Sequence, residues 1–461
     1  MASPPRTPAR VRTASREHRS RSGPPPIPWV GTAVGVAFVV GLVATIALAL
    51  SQETTSNLAQ PGGWYDAVGR LAGLTGTYGM LVMVVLISRV PWLERSIGQD
   101  RLVRWHRRIG GWPVALIALH IVTITLGYAA LTNVGFVSQL WTFLVHYPDI
   151  LAAALGFCLL VVAGISSARI ARRKMRYETW WAVHLYIYLA LGLSFAHQVA
   201  TGAMFLRHPL TTAAWIAAWV FVGVLLFGSR LALPLARNLR YHLRVTRVEE
   251  VAPSVYAVTI RGRELQRLAV SGGQFFQWRF LARGLWWHSH PYSLSALPRP
   301  PYLRVTVRAV GDQSRAIARL RPGTRALVEG PYGTFTKHAT ETGAVTLIGA
   351  GVGTTPLRAL AEDLPTGTKV TAILRASTER DRVHHDEIGA LVRRHGGVLH
   401  ELIGTRSEVR LDARALRRLA PDISRSDVFI CGPEGFLESV SRAVAAAGVP
   451  DRRIHAEEFA F

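Results

Sequence analysis

The chain has 461 residues, more than one ordinary compact domain, so two or three domains are expected. Hydrophobic residues make up 49% of it, yet the formal net charge is +24. That combination leaves a membrane protein or a nucleic-acid binder with an unusual core. The two cysteines, Cys158 and Cys431, exclude a disulfide scaffold, a four-cysteine zinc site and an all-cysteine iron–sulfur cluster.

Residues 1–28 carry Arg6, Arg10, Arg12, Arg16, Arg19 and Arg21 among Pro and Ser, and read as a disordered basic tail. Residues 27–52 contain no Asp, Glu, Lys or Arg. This exceeds the about 20 residues needed to cross a bilayer. Uncharged runs follow at 71–88, 109–145, 150–168, 179–206 and 208–229. Residues 29–232 are therefore predicted to form six transmembrane helices. In the long third run, Thr132, Asn133 and Gly135 break the helix and leave an apolar outer loop.

Loop charge predicts the orientation. Arg89, Arg95, Arg101, Arg104, Arg107 and Arg108 lie between helices two and three, and Arg169, Arg172, Arg173, Lys174 and Arg176 between four and five. The opposite loops offer Glu53, Asp66 and Asp149. The positive-inside rule then puts both termini in the cytoplasm of a multi-pass plasma-membrane protein. The basic charge is largely a topology signal, and no nucleic-acid partner is expected.

After Arg230 the pattern changes. Residues 240–340 hold short segments with apolar residues at alternate positions, such as Leu303, Val305 and Val307, and predict a small antiparallel β-barrel. Residues 341–461 alternate apolar strands with helical stretches, the pattern of a parallel α/β sheet.

Four histidines fall inside the membrane segments. His106 and His120 are 14 apart on helix three, and His184 and His197 are 13 apart on helix five. At 1.5 Å rise per residue, each pair spans about 20 Å along its helix. The two helices thus offer two levels with one histidine each, which is what two haems with paired axial imidazoles require. Fourteen residues return to within about 40° of one face, but thirteen miss by about 140°. Helix five therefore needs a local distortion, for which Gly192 is placed, or substantial tilt; Pro113 should kink helix three. Arg104, Arg107 and Arg108 either pair with propionates of the inner haem or serve topology alone.

The run His290-Pro291-Tyr292-Ser293 follows a Trp-rich loop, with Gly273-Gln274-Phe275 before it and Gly330-Pro331-Tyr332-Gly333 after it. Together these pieces resemble the flavin site of the ferredoxin–NADP reductase superfamily, in the form of its NADPH oxidase and ferric reductase branch. The resemblance implies an FAD-binding barrel. Tyr292 would pack on the flavin ring, and the Ser293 hydroxyl would reach a ring nitrogen. Gln274, Phe275, Gly330 and Gly333 belong to the same site. Many relatives have Arg where His290 stands, facing the flavin pyrophosphate, so Arg308 or Ser314 would supply part of that contact.

Gly349-Ala350-Gly351-Val352-Gly353-Thr354-Thr355-Pro356 follows an apolar strand. Its glycines permit a tight turn, and Pro356 suits the first turn of a helix whose free N–H groups favour a pyrophosphate. It is similar to the nucleotide loop of the same superfamily, with Gly349, Gly351, Gly353, Thr354 and Pro356 as the binding residues. Cys431, Gly432 and Pro433 match the turn beside the nicotinamide. Arg375 stands where relatives meet the 2′-phosphate, and Arg380 and Arg382 are close by. The resemblance thus favours NADPH, with NADH possible. Phe461 resembles the C-terminal aromatic that covers the flavin. The membrane half looks like a ferric reductase transmembrane domain, whose four histidines hold two haem b groups.

The chain is thus expected to be a multidomain membrane protein. A six-helix haem-binding bundle precedes an antiparallel β-barrel FAD domain and an α/β nucleotide-binding domain. It would move electrons from NADPH to an extracytoplasmic acceptor, which could be oxygen, ferric iron or a redox partner. Tyr292, Ser293, Cys431 and Phe461 are the residues expected nearest the chemistry. A membrane-anchored flavin reductase without haem transfer, or a transporter with a nucleotide-sensing domain, are the alternatives. Nothing in the sequence decides the oligomeric state.

Overall fold

The computed structural model describes residues 23–206, 208–405 and 408–458. Most of the expected tail, and Phe461, lie outside the described residues. The chain divides into two compact units, one of them Pro26–Leu233 and the other formed by Pro234 onward with the short segment before Pro26.

The first unit is helical. Its main helices are α1 (Pro28–Ser51), α2 (Gly63–Ile87), α3 (Gln99–Ile109), α4 (Gly111–Thr132), α5 (Phe136–His146), α6 (Ile150–Ser167), α7 (Tyr177–Thr201) and α8 (Pro209–Phe227). Six helical stretches among the described residues are long and apolar enough to cross a membrane, with α3 and α4 counted as one. The apolar loop expected after Asn133 is itself helical, as α5, because Asn133 takes the left-handed conformation (φ 55°) and closes α4 before a second helix starts. The interruption near Pro113 falls at Gly110, so Pro113 occupies the first turn of α4, where its missing N–H costs nothing. Helix α7 is α-helical throughout, with no break at Gly192. No local distortion at Gly192 brings His184 and His197 to one face.

Helix α2 is the most enclosed of the six spans. A stripe of glycines explains why. Ideal β-carbons on Gly69, Gly73, Gly76 and Gly79 would lie 2.6, 2.6, 3.0 and 2.9 Å from Ile124, His120, Ile117 and Pro113 of α4. Small residues at helical spacing let two membrane helices approach until side chains of one rest on the backbone of the other.

The second unit holds the β-structure. Helix α9 (Leu233–Tyr241) leads into β1 (Arg244–Ala252), β2 (Val255–Arg261), β3 (Phe275–Phe280), β4 (His290–Ser293), β5 (Tyr302–Arg308), the short α10 (Asp312–Ile317) and β6 (Ala326–Tyr332). These form two antiparallel three-stranded sheets, β1-β2-β5 and β4-β3-β6. The sheets meet through single bridges, Arg244 with Arg325 and Leu294 with Val305. In place of a closed barrel the structure thus shows two three-stranded sheets that touch at two single bridges. Its core follows the period of two: Phe276, Trp278 and Phe280 are buried, whereas Arg279 faces out.

Next come β7 (Ala344–Ala350), α11 (Thr354–Asp363), β8 (Lys369–Ala376), α12 (His385–Arg394), β9 (Val398–Ile403), β10 (Asp427–Gly432), α13 (Glu434–Ala446) and β11 (Ile454–Glu458). The five strands make a parallel sheet in the order β11-β10-β7-β8-β9. Every residue of β10 is buried, as expected of a strand covered on both faces. The order reverses between β7 and β10, and ligands of such sheets bind at the carboxyl ends of strands flanking that reversal.

The glycine stripe carries a direct test. Gly73→Leu should destabilise the detergent-purified protein by about 1–3 kcal/mol through overpacking against α4. Gly164→Leu, on α6 with nothing within 4 Å of its β-carbon, should leave the thermal midpoint unchanged.

Candidate cofactor sites

Helix α2 orients two of the four histidines. His120 Nδ1 lies 2.8 Å from the Gly69 carbonyl oxygen, and His106 Nδ1 lies 3.2 Å from that of Met83. Each ring therefore donates through Nδ1 and keeps Nε2 as a free electron-pair donor. Metal-binding histidines are fixed in this way by a second hydrogen bond. The two carbonyls are 14 residues apart on α2, as the histidines are on the helix running against it.

The partners come from α7. His184 Nδ1 lies 3.1 Å from Ser167 Oγ, which also accepts from Trp180 Nε1 at 3.1 Å. Trp180 stacks on the His184 ring at 5.1 Å, and the Arg172 guanidinium lies over the Trp180 ring at 4.8 Å. The rings of His106 and His184 have centroids 6.2 Å apart. Two imidazoles on opposite sides of one metal, with bonds of about 2.0–2.1 Å, would have centroids roughly 6 Å apart. His197 is within electrostatic reach of His120 and lies beside the backbone of Ser194, three residues earlier on α7. The described residues hold no cluster of three or more His, Cys, Asp or Glu side chains suited to a metal ion. The residues present at the His106–His184 pair fit a bis-imidazole haem site.

In the second unit, a cleft of about 280 Å³ opens at the strand-order reversal. Arg308, Gly351, Arg375 and Pro433 line it, together with Ser377 and Asp381, which sequence reasoning missed. Both follow the end of β8, and position after that strand was the available signal. Gly351 has φ 57°, and a β-carbon on Gly353 would lie 2.5 Å from the Cys431 carbonyl oxygen, so the loop needs glycine at both points. Gly349 likewise packs against Leu357, and Pro356 is buried in the first turn of α11. Thr354 Oγ1 donates to the carbonyls of Gly351 and Val383 and so braces the loop. Its neighbour Thr355, absent from the sequence reading, has a buried hydroxyl without a partner among the described residues.

Three side chains near the expected sites are held by the protein itself. The Cys431 side chain does not face the cleft: it is fully buried in the core with Leu347 and Phe429, and burial pushes its thiol well up. The reason is its place on a central strand, so only the following Gly432-Pro433 turn reaches the cleft edge. Arg382 is engaged by Glu401 (both hydrogen bonds 3.0 Å) and by Asp386. Ser314 caps its own turn, accepting from Gly311 N at 2.9 Å and donating to Gly311 O at 3.0 Å.

The flavin-motif residues converge at one end of the β4-β3-β6 sheet. Ser293 pairs with Phe275 and Tyr292 with Phe276, and Phe275 also pairs with Tyr332. Pro291 is exposed and opposes Gln277. Tyr292 is half-buried, stacks on His290 at 5.9 Å, and has its hydroxyl pushed up by burial. Ser293 is buried at the strand end. Gln274 acts as a tie: its Oε1 accepts from Ser271 N at 2.9 Å, and its Nε2 donates to Gly333 O at 3.3 Å. Gly330 O accepts from Arg237. Burial first, then His288 beside it, pulls His290 down to about 4. His290 is therefore neutral at pH 7, and its buried Nε2 has no partner among the described residues.

A polar network holds the cleft walls together. Arg304 of β5 donates to both Glu387 carboxylate oxygens at 2.9 and 2.8 Å, and Arg358 Nε donates to one of them at 2.8 Å. Arg358 also pairs with Glu362, which accepts from Leu297 N at 3.0 Å and Arg299 at 2.9 Å. His384 bridges Glu387 (3.1 Å) and Thr306 (2.9 Å). Burial alone would raise Glu387, but hydrogen bonds from His384 and Arg304 hold it well below its usual range.

Comparison with known proteins fits this geometry. Residues 72–195 match the family described as "Ferric reductase like transmembrane component". The match takes in His106, His120 and His184. Among curated relatives, an NADPH oxidoreductase of Mycobacterium tuberculosis is 29% identical over 199 residues, 41% of this chain and 52% of that protein. A flavohemoprotein of Xylella fastidiosa is 28% identical over 200 residues, 41% of this chain and 50% of that one. The heme-binding subunit MsrQ of a Caulobacter vibrioides protein-methionine-sulfoxide reductase is 28% identical over 162 residues, 35% of this chain and 72% of that subunit. The chain spans about half the length of the first two. Among solved structures, the FAD/NAD-binding domain of a Vibrio cholerae nitric oxide dioxygenase is 21% identical, with TM-score 0.38, covering 47% of this chain and 98% of that one. The second unit has the two-part architecture that the ferredoxin–NADP reductase resemblance implied.

Two outcomes are expected from this site. Arg375→Ala should raise KM for NADPH about tenfold or more and leave KM for NADH nearly unchanged, because a charge-assisted phosphate contact contributes about 1.5–3 kcal/mol. Glu387 has its folded value below the free value of 4.5, so its stabilisation is present above that pH and lost as pH falls through it. Glu387→Gln should therefore cost about 1–2 kcal/mol at pH 7. Its thermal midpoint should then fall less than that of the unsubstituted protein between pH 5 and 3.

Proposed function

We propose that this protein is a transmembrane oxidoreductase that passes electrons from cytoplasmic NADPH, through FAD and two b-type haems, to an acceptor outside the membrane. The observation that carries the reading is the pair of carbonyls on α2, Gly69 and Met83, that turn His120 and His106 so that each leaves Nε2 free. The 6.2 Å separation of the His106 and His184 rings supports an inner haem between them, and His120 with His197 would hold the outer one.

Bound FAD would accept the two electrons of a hydride and release them singly to haem, which carries one. The chain's own residues bind and orient. Arg375 would hold the 2′-phosphate, and the Gly351–Gly353 turn would let the pyrophosphate approach the backbone. Tyr292 would pack on the flavin ring, and Arg308 would face its pyrophosphate. The reading needs no general base, since the donor carries its electrons as hydride. Loop charge supports a plasma-membrane location with both termini in the cytoplasm. Oxygen, ferric iron and a periplasmic redox partner all fit as acceptors, and the heme-binding subunit among the relatives favours keeping a protein partner among them.

The test is anaerobic reduction by NADPH, followed by absorbance. His120→Ala or His197→Ala should halve the haem content while NADPH still reduces the remaining haem. His184→Ala should remove the inner haem and leave the outer one unreduced by NADPH. Full haem content in all three variants would overturn the ligand assignment.

A further inference from the structure

Asp66 is a carboxylate used by neither the histidine pairs nor the cleft. It lies in the first turn of α2, three residues before Gly69, whose carbonyl accepts from His120 at 2.8 Å. Its Oδ1 is enclosed and has no hydrogen-bond partner among the described residues. It fits there because α4 has glycine at 127, where any β-carbon would collide with the carboxylate.

The neighbouring cation is committed elsewhere. Arg70 donates Nε and Nη2 to the two oxygens of Glu53, both at 2.8 Å, and the pair is mostly enclosed, at 21% and 9% exposure. That bidentate pair is neutral as a unit. Glu53, Arg70 and the Tyr128 hydroxyl of α4 are the other titratable groups within electrostatic reach of Asp66. The short helical turn Thr55–Ala59 against α2 has the sequence TSNLA and offers none. When ionised, Asp66 thus carries a negative charge that no hydrogen-bonded cation offsets, at one end of an apolar bundle. Such a residue is costly and ordinarily functional.

An electron placed at the His120 level adds a second negative charge about 10 Å away along the bundle, since Gly127, against which Asp66 lies, is seven residues beyond His120 on α4. In a low-dielectric interior the two repel strongly, and a proton on the carboxylate removes that repulsion. We propose that Asp66 is a redox-linked proton site, binding one proton from the outer aqueous phase as the His120–His197 level gains one electron. The O–H bond forms on the carboxylate and breaks again when the electron leaves. NADPH supplies the electron through the path proposed above, water supplies the proton, and the net charge inside the bundle is unchanged. External pH then sets how readily the outer level is reduced. The inference rests on the two-level reading.

The test is a spectroelectrochemical titration of the full-length protein from pH 5 to 9, with the outer haem assigned as the one lost in His197→Ala. Its reduction equilibrium should weaken by up to tenfold per pH unit, equivalent to about 59 mV for one electron. The inner haem should show no such slope. Asp66→Asn should abolish the slope and Asp66→Glu should keep it, with its onset moved in pH. A flat outer haem in the unsubstituted protein, or an undiminished slope in Asp66→Asn, overturns the proposal. If Asp66→Asn fails to retain haem, an unmoved onset in Asp66→Glu overturns it equally. Absence of any second haem in the unsubstituted protein would fail the two-level reading itself.

Discussion

The close approach of α2 to α4 is the constraint on which the membrane half depends. Glycines 69, 73, 76 and 79 remove the side chains that would otherwise hold the helices apart. The result is more than packing. With no side chain in the way, imidazoles from the opposing helix can reach backbone carbonyls, which cannot swing away as a side-chain acceptor could. Ring orientation and tautomer are thus set by the backbone of α2, at two depths 14 residues apart. The second helix of histidines, α7, is held differently. Its inner ring is placed by Ser167 and Trp180, whereas its outer ring lies beside the Ser194 backbone of its own helix.

The soluble half solves a different problem with charge. A nucleotide cleft at a strand-order reversal needs walls from two sub-structures, and those walls must keep register. Arg304, Arg358, Glu362, Glu387 and His384 do this through mutually satisfied hydrogen bonds, each cation meeting a carboxylate that other donors also hold. The network leaves Arg308, two residues beyond Thr306 on the same strand, facing the cleft. Within this half, burial decides character more than residue type does. It makes His290 neutral and removes Cys431 from the surface, although both sit in motifs that suggest polar contact.

Much of this was legible in the chain. Six spans followed from uncharged runs, because a bilayer tolerates few charges in about 20 residues. The two sheet types followed from the change in apolar period. The histidine pairs stood out because ionisable residues in such runs are rare. The glycine stripe was equally visible, yet its spacing marks only a small face, not which helix will pack there. Ser314, Gln274 and Thr354 also brace local turns, a role the sequence pattern does not report, because their hydroxyl or amide groups meet backbone only a few residues away or across a tight loop. The Arg304–Glu387 pair joins residues 83 apart, which no local pattern reports. Asp66 appeared in the sequence as one of a few outer-loop acids; its enclosure against Gly127 is a property of the assembled helices alone.

Low-temperature electron paramagnetic resonance of the oxidised, purified protein, with haem quantified on the same sample, decides whether backbone carbonyls of α2 and side chains of α7 hold two bis-imidazole sites in one bundle. Two haems per chain, both low-spin with two nitrogen ligands, are expected. A single haem, or a high-spin signal that accounts for half the iron, would overturn that arrangement.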